Sequence, residues 1–328
     1  MKKFLSVIAA AAIAVSSLCG CSAANAGKQN DKIQIVTTIF PEYDWVMNIL
    51  GDNPANAEVT MLLDNGTDLH SFQPTTSDIM KISSCDLFIY VGGESDEWVE
   101  DVLKEAVNKD MVAINLLEVL GDKVVEEELV EGMQGEEEEE EAGEGEEEIE
   151  YDEHVWLSLK NAEVLVQSIS DSIQKIDPAN AEAYKANTKA YLDKLDQLDQ
   201  SYQEVISNAA IKTVLFGDRF PFRYLVDDYG LEYYAAFVGC SAESEASFET
   251  ITFLSKKVDE LSLPVVLTIE GNDKRIAETV IANTATKDQT VLSMDSMQST
   301  TSKDVANGVT YISVMGSNLE VLKKALGY

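Results

Sequence analysis

The chain contains only two histidines. His70 follows a glycine turn in "DNGTDLHSF", and His154 closes an acidic run in "EEEIEYDEHVW". Three carboxylates stand at the ends of apolar, β-branched runs: Asp218 after "KTVLFG", Glu270 after "PVVLTI" and Asp295 after "TVLSM". Two neutral imidazoles supply directional nitrogen donors, and one or two carboxylates offset the charge of an ion taken out of water. Together they suit a divalent transition ion. Zn²⁺ fits such a set in four-coordination, and Mn²⁺ fits it when a carboxylate binds through both oxygens. Taken singly, each residue has a plainer role. A lone histidine is ordinarily a surface or core residue, Asp218 could be a helix N-cap, and Glu270 could pair with Lys274 or Arg275.

The elements that must position these groups alternate. "KIQIVTTIF" (Lys32 to Phe40) predicts a strand, and "PEYDWVMNILG" a helix opened by Pro41 and stopped by Gly51. "AEVTMLL" and "DLFIYVGG" predict strands around the helix "TSDIMKISSC", with Thr76 or Ser77 as its N-cap. The helix "DEWVEDVLKEAV" and the strand "MVAINL" follow. After "NAEVLVQSISDSIQKID", about thirty residues run at helical period without Gly or Pro. Such a helix is ~45 Å long, too long for one layer of a small domain, and predicts a connector between two halves. The second half repeats the rhythm and ends in a helix from Thr310 to Ala325. The fold class is α/β: two lobes, each a mainly parallel sheet flanked by helices, joined by one long helix. The expected boundaries are an N-terminal lobe at 33–178, a linking helix at 179–209 and a C-terminal lobe at 210–328. Ligands in open α/β sheets bind outside the carboxyl ends of the strands, where every candidate above falls.

Lys plus Arg total 24 against 59 Asp plus Glu, a formal charge of −35 over 328 residues. That field disfavours nucleic acid and favours a cationic ligand. Part of the charge is local, because 125–153 is dominated by glutamate and lacks apolar periodicity, which predicts a mobile loop. At the N-terminus, Lys2 and Lys3 precede a short apolar stretch ending in "LCGC". This resembles a bacterial lipobox, with 1–20 as a signal peptide, Cys21 as the lipidated new N-terminus and 21–32 as a tether. Cys85 lies in a strand pattern and Cys240 in the loop pattern "FVGCSAESE". No CxxC spacing is present, so a thiolate metal site or a redox motif is disfavoured.

Five motifs in order carry a family resemblance: "GTDLHSFQPTTSD", "FPEYDWVMNILGD", "DEHVWLSLKNA", "VLFGDRFPFRYLVDDYGL" and "VLSMDSMQS". From about Ile33 to the C-terminus they resemble the zinc- and manganese-type solute-binding lipoproteins of ABC importers. The resemblance implies His70 and His154 as N-lobe ligands and Asp295 as a C-lobe ligand. Family members carry histidine or glutamate near the strand end that here reads "FGDRF". That implies Asp218 as the third ligand, with Glu270 as an alternative ligand or a supporting group. Leu69 and Glu153 replace the proline that precedes each family histidine. The acidic loop, with Glu136, Glu137, Glu138, Glu139, Glu140 and Glu141, lies where zinc-type members carry an auxiliary metal-rich loop.

The resemblance therefore implies an extracytoplasmic, lipid-anchored, monomeric receptor. It would capture Zn²⁺ between its lobes and hand it to an ABC permease transmembrane subunit, without covalent chemistry. The alternatives are a Mn²⁺ receptor of the same family and a surface adhesin lipoprotein. A metallohydrolase is disfavoured, because no HExxH and no third histidine are present. The long helical connector predicts a small hinge or loop movement on binding instead of wide domain closure.

Overall fold

The computed structural model describes residues 32–135, 150–241, 245–271 and 273–328. Lys32–Tyr328 form one compact unit. The expected Cys21 anchor lies outside the described residues, as do Glu136 to Glu141. Among the described residues, no helix is long and apolar enough to cross a membrane.

Two four-stranded parallel sheets form the lobes. The first has the order β2-β1-β3-β4, from β1 (Gln34–Thr37), β2 (Glu58–Met61), β3 (Leu87–Tyr90) and β4 (Val112–Asn115). The second has the order β6-β5-β7-β8, from β5 (Thr213–Phe220), β6 (Glu232–Val238), β7 (Val265–Ile269) and β8 (Thr290–Met294). The first lobe carries α1 (Phe40–Leu50), α2 (Thr76–Ser84), α3 (Trp98–Lys104), α4 (Leu116–Leu120) and α5 (Leu159–Ile176). Beyond the long α6 (Ala181–Asn208), the second carries α7 (Arg223–Tyr229), α8 (Phe248–Leu261), α9 (Arg275–Ala282), α10 (Ser302–Ala306) and α11 (Tyr311–Ala325).

Local chemistry moves several element ends from where periodicity placed them. The first strand stops at Thr37 because the buried Glu42 carboxylate accepts from Thr38 N at 2.8 Å and Ile39 N at 3.3 Å. Those bonds satisfy helix-start donors and bring α1 forward to Phe40. Thr75, not Thr76 or Ser77, caps α2, in a capping box with Asp78. α3 ends at Lys104, and a 3-10 turn at Glu94–Asp96 precedes it.

α6 has 28 residues and is ~42 Å long. Its Tyr191 hydroxyl donates to Asp44 of α1 at 3.0 Å, and its Tyr202 hydroxyl donates to the Met315 carbonyl of α11 at 2.6 Å. One helix is thus tied to both lobes by buried hydrogen bonds. Tyr311 of α11 also donates to the Trp156 carbonyl at 2.6 Å. A single apolar core runs from β1 and α1 through α5 and α6 to α11. A smaller cluster, including Leu215, Leu254, Val266 and Ala277, is formed by β5, α8, β7 and α9. Cys85 is a fully buried core residue with Sγ 3.4 Å from Met111 Sδ, and neither Cys85 nor Cys240 is in a disulfide.

The flanks of the acidic segment depart from the expected mobile loop. Glu126 pairs antiparallel with Tyr151, Glu127 N donates to the Glu150 carbonyl at 2.9 Å, and Asp152 N donates to the Val125 carbonyl at 3.0 Å. The Tyr224 hydroxyl accepts from Val125 N and donates to the Asp152 carbonyl. Gln134 forms a parallel bridge to Phe237 on β6. Backbone pairing holds these residues, and such pairing leaves no apolar period to read.

Candidate metal centre

His70 and His154 meet. Their Nε2 atoms are 3.2 Å apart and their ring centroids 5.1 Å apart. His70 sits in a 3-10 turn, Leu69–Ser71, capped by Asp68, whose Oδ1 accepts from His70 N at 3.1 Å. His154 is fully buried and opens the turn Val155–Leu157. Trp156 of that turn donates its indole N–H to the Ser296 carbonyl at 2.9 Å, fastening the turn to the end of β8.

Each ring is held from behind. His154 Nδ1 lies 2.9 Å from Asp152 Oδ1, which also accepts from His154 N at 2.8 Å. His70 Nδ1 lies 2.8 Å from Ser95 Oγ and 3.5 Å from Glu153 Oε2. The carboxylate behind His154 Nδ1 favours the tautomer protonated there, which leaves the His154 Nε2 lone pair facing the His70 ring. Burial, and then the neighbouring His154, push the His70 imidazole down to about 3, so its ring is neutral near pH 7. Glu153 Oε2 is buried without a hydrogen-bond partner, and burial raises this carboxyl above its ordinary range.

The group of potential ligands that converges among the described residues is His70, His154 and Cys240, with one donor atom from each within 4.8 Å of the others. Gly239 makes the approach feasible. A Cβ there would stand 3.0 Å from His154 Cε1, 3.1 Å from its Nδ1 and 3.0 Å from the Phe220 carbonyl. Glu127 accepts from Cys240 N at 3.1 Å. It also lines a surface recess of about 810 Å³ with Glu118, Glu126, Glu128, Tyr151 and Arg223.

Each of the three carboxylates proposed from sequence accepts a backbone amide. Asp218 Oδ2 accepts from Ile269 N at 3.0 Å and Oδ1 from Arg219 N at 2.9 Å. Gly217 and Asp218 form a bulge: Phe216 pairs with Ala235 and Arg219 with Phe237, so the register of β5 shifts against β6. Gly217 is required because a Cβ there would lie 2.5 Å from the Ala277 Cα of α9. Glu270 accepts from the Ser296 backbone and hydroxyl, both at 2.7 Å, and does not pair with Lys274 or Arg275. Asp295 Oδ1 accepts from Met297 N at 2.8 Å. Burial and the nearby Glu270 raise its carboxyl to about 6. None of the three joins the converging group.

Sequence reasoning missed Cys240, Asp152, Ser95 and Arg219. Arg219 pairs with Asp68, so a β5 side chain braces the turn that carries His70. Cys240 had a usable signal, since it follows β6 as Glu270 follows β7 and Asp295 follows β8, whereas Asp218 lies inside β5. The strand-end rule passes over it when applied to acids alone.

Residues 35–325 match the family described as ZnuA, zinc-uptake complex component A, periplasmic. The chain is 32% identical over 296 residues to the zinc-binding protein AdcA of Streptococcus pyogenes serotype M3 (strain ATCC BAA-595 / MGAS315), across 89% of this chain and 56% of that protein. It thus spans little more than half the length of that streptococcal relative. It is 31% identical over 324 residues to the high-affinity zinc uptake system protein ZnuA of Bacillus subtilis (strain 168), covering 98% of this chain and 97% of that one. The fold is similar to the crystal structure of the Zn(II)-bound ZnuA-like domain of Streptococcus pneumoniae AdcA. The TM-score is 0.69 at 30% identity, over 91% of this chain and all of that one.

Proposed function

The chain belongs to the ZnuA family of periplasmic zinc-uptake components, and on that premise we propose that it is the extracytoplasmic receptor of an ABC importer. It captures Zn²⁺ between its lobes and delivers it to a membrane permease, working as a monomer held to the membrane by lipid on Cys21. It carries the ion and performs no catalysis. The acidic residues from Glu136 to Glu141 serve as an auxiliary loop that raises the local cation concentration.

One observation carries this reading: a partly buried and a fully buried imidazole face each other through Nε2 while the Ser95 hydroxyl and the Asp152 carboxylate hold their Nδ1 atoms. With both rings protonated at Nδ1, two lone pairs face each other and repel unless a cation sits between them. Nitrogens bound to one tetrahedral Zn²⁺ at about 2.0–2.1 Å stand about 3.3 Å apart. The 3.2 Å separation matches that spacing. The ligands in this reading are His70 and His154. Asp218, Glu270 and Asp295 act through the backbone amides they hold at the strand ends.

Competition of the protein against a chromogenic chelator tests the reading. One tight Zn²⁺ site lost in the His70→Ala, His154→Ala double variant is the expected result. Wild-type affinity in that variant would remove the basis for a histidine-held ion.

A further inference from the structure

We propose that Cys240 supplies a thiolate as the third protein donor of this site, so that the cleft selects thiophilic divalent ions over oxygen-seeking ones. The inference rests on the receptor reading above and extends it to the ligand set and the class of ion. Three observations carry it.

The first is convergence. Cys240 Sγ and one nitrogen each of His70 and His154 lie within 4.8 Å of one another. In a tetrahedral ion with Zn–S near 2.3 Å and Zn–N near 2.0–2.1 Å, sulfur and nitrogen stand about 3.6 Å apart. The group is therefore within a modest contraction of the bound geometry.

The second is construction. The close contact at Gly239 lets β6 deliver Cys240 against the His154 ring. Glu127, held through the Glu127–Glu150 and Asp152–Val125 backbone pairs, fixes the Cys240 backbone N–H. A cysteine left over from packing would not need its neighbour kept small for a histidine.

The third is displacement and charge. The Gly217–Asp218 bulge commits Asp218 to the Ile269 and Arg219 amides, which leaves the C-terminal lobe's donor to come from the adjacent strand, β6. Beside the pair, Glu153 Oε2 is buried without a hydrogen-bond partner. Two neutral imidazoles and one thiolate leave a divalent ion one charge in excess, and this carboxylate stands 3.5 Å behind His70 Nδ1. On binding, the S–H bond gives way to a metal–sulfur bond and the proton leaves to solvent.

A His₂Cys set with one open position suits Zn²⁺ and Co²⁺. It disfavours Mn²⁺, whose preferred donors are oxygens. The test uses the whole protein with Zn²⁺, Mn²⁺ and Co²⁺, alongside Cys240→Ser and His154→Ala. The Co²⁺ complex of the wild-type protein is expected to show near-ultraviolet thiolate-to-cobalt charge-transfer absorption. Cys240→Ser should abolish that band and lower Zn²⁺ affinity beyond the roughly 100-fold upper end of outer-shell changes. Its Mn²⁺ affinity should change little. The cobalt spectrum of the wild-type protein stands even if the variant folds poorly. Absence of the band, or unchanged Zn²⁺ affinity in Cys240→Ser while His154→Ala loses the ion, overturns the thiolate and leaves the receptor reading intact. No tight Zn²⁺ site in the wild-type protein overturns both.

Discussion

Replacing Asp152 with asparagine isolates the orienting carboxylate. Asp152 Oδ1 accepts from His154 N at 2.8 Å and lies 2.9 Å from His154 Nδ1, and its side chain is 5% exposed. The Asp152→Asn variant keeps the size and one acceptor oxygen but removes the charge. The backbone of the segment stays tied through Asp152 N to Val125 and through Tyr224 to the Asp152 carbonyl. The fold should therefore survive. What is lost is the charge-assisted hold on the imidazole, which fixes the tautomer and raises the basicity of Nε2. Outer-shell partners of metal-bound histidines typically account for about 10–100-fold in affinity, or roughly 1.4–2.7 kcal/mol. Competition with a fluorescent chelator near pH 7 measures the loss, and melting of the ion-free protein checks the fold. Affinity within about two-fold of wild type, with the fold intact, would refute the reasoning, because Asp152 would then not orient a ligand.

Other perturbations test separate links. Gly239→Ala should weaken Zn²⁺ binding more than it lowers the melting temperature, because the new methyl meets the His154 ring at 3.0–3.1 Å; chelator competition and melting curves separate the two effects. Asp44 is buried on α1, and burial raises its carboxyl from 3.8 to about 6. A raised acid stabilises the native state below its unfolded pKa and loses that contribution as pH rises through the folded one. Relative to Asp44→Asn, the wild-type protein should lose up to about 3 kcal/mol between pH 4 and pH 7, measured by urea unfolding at both pH values; a constant difference would contradict the assignment. Because Tyr191, Tyr202 and the Arg219–Asp68 pair tie the lobes together, Zn²⁺ should leave the radius of gyration nearly unchanged in solution scattering, and a large contraction would contradict it.

The fold was legible because its signals are local and repeated. Strands of four to eight residues alternate with amphipathic helices, and a helix without Gly or Pro could only be the connector. Element ends were less legible, because side chains such as Glu42 and Thr75 set them through hydrogen bonds that no periodicity records. The two histidines were legible from scarcity and position. The aim of the strand-end acid Asp218 was not, for a physical reason. Asp218 has the right chemistry and stands near a strand end, but the bulge in β5 turns it toward backbone amides. Sequence shows that the residue is present and not where the bulge aims it. Likewise, the acids before His154 read as solvated charge, yet Asp152 and Glu153 are buried behind the imidazoles.

The most direct measurement is anomalous diffraction at the zinc absorption edge from crystals of the Zn²⁺-loaded protein. One strong buried peak is expected about 2.0–2.1 Å from both His70 Nε2 and His154 Nε2. A buried peak bound instead by Asp218, Glu270 or Asp295 without both histidines, or no peak between the two rings, would contradict it.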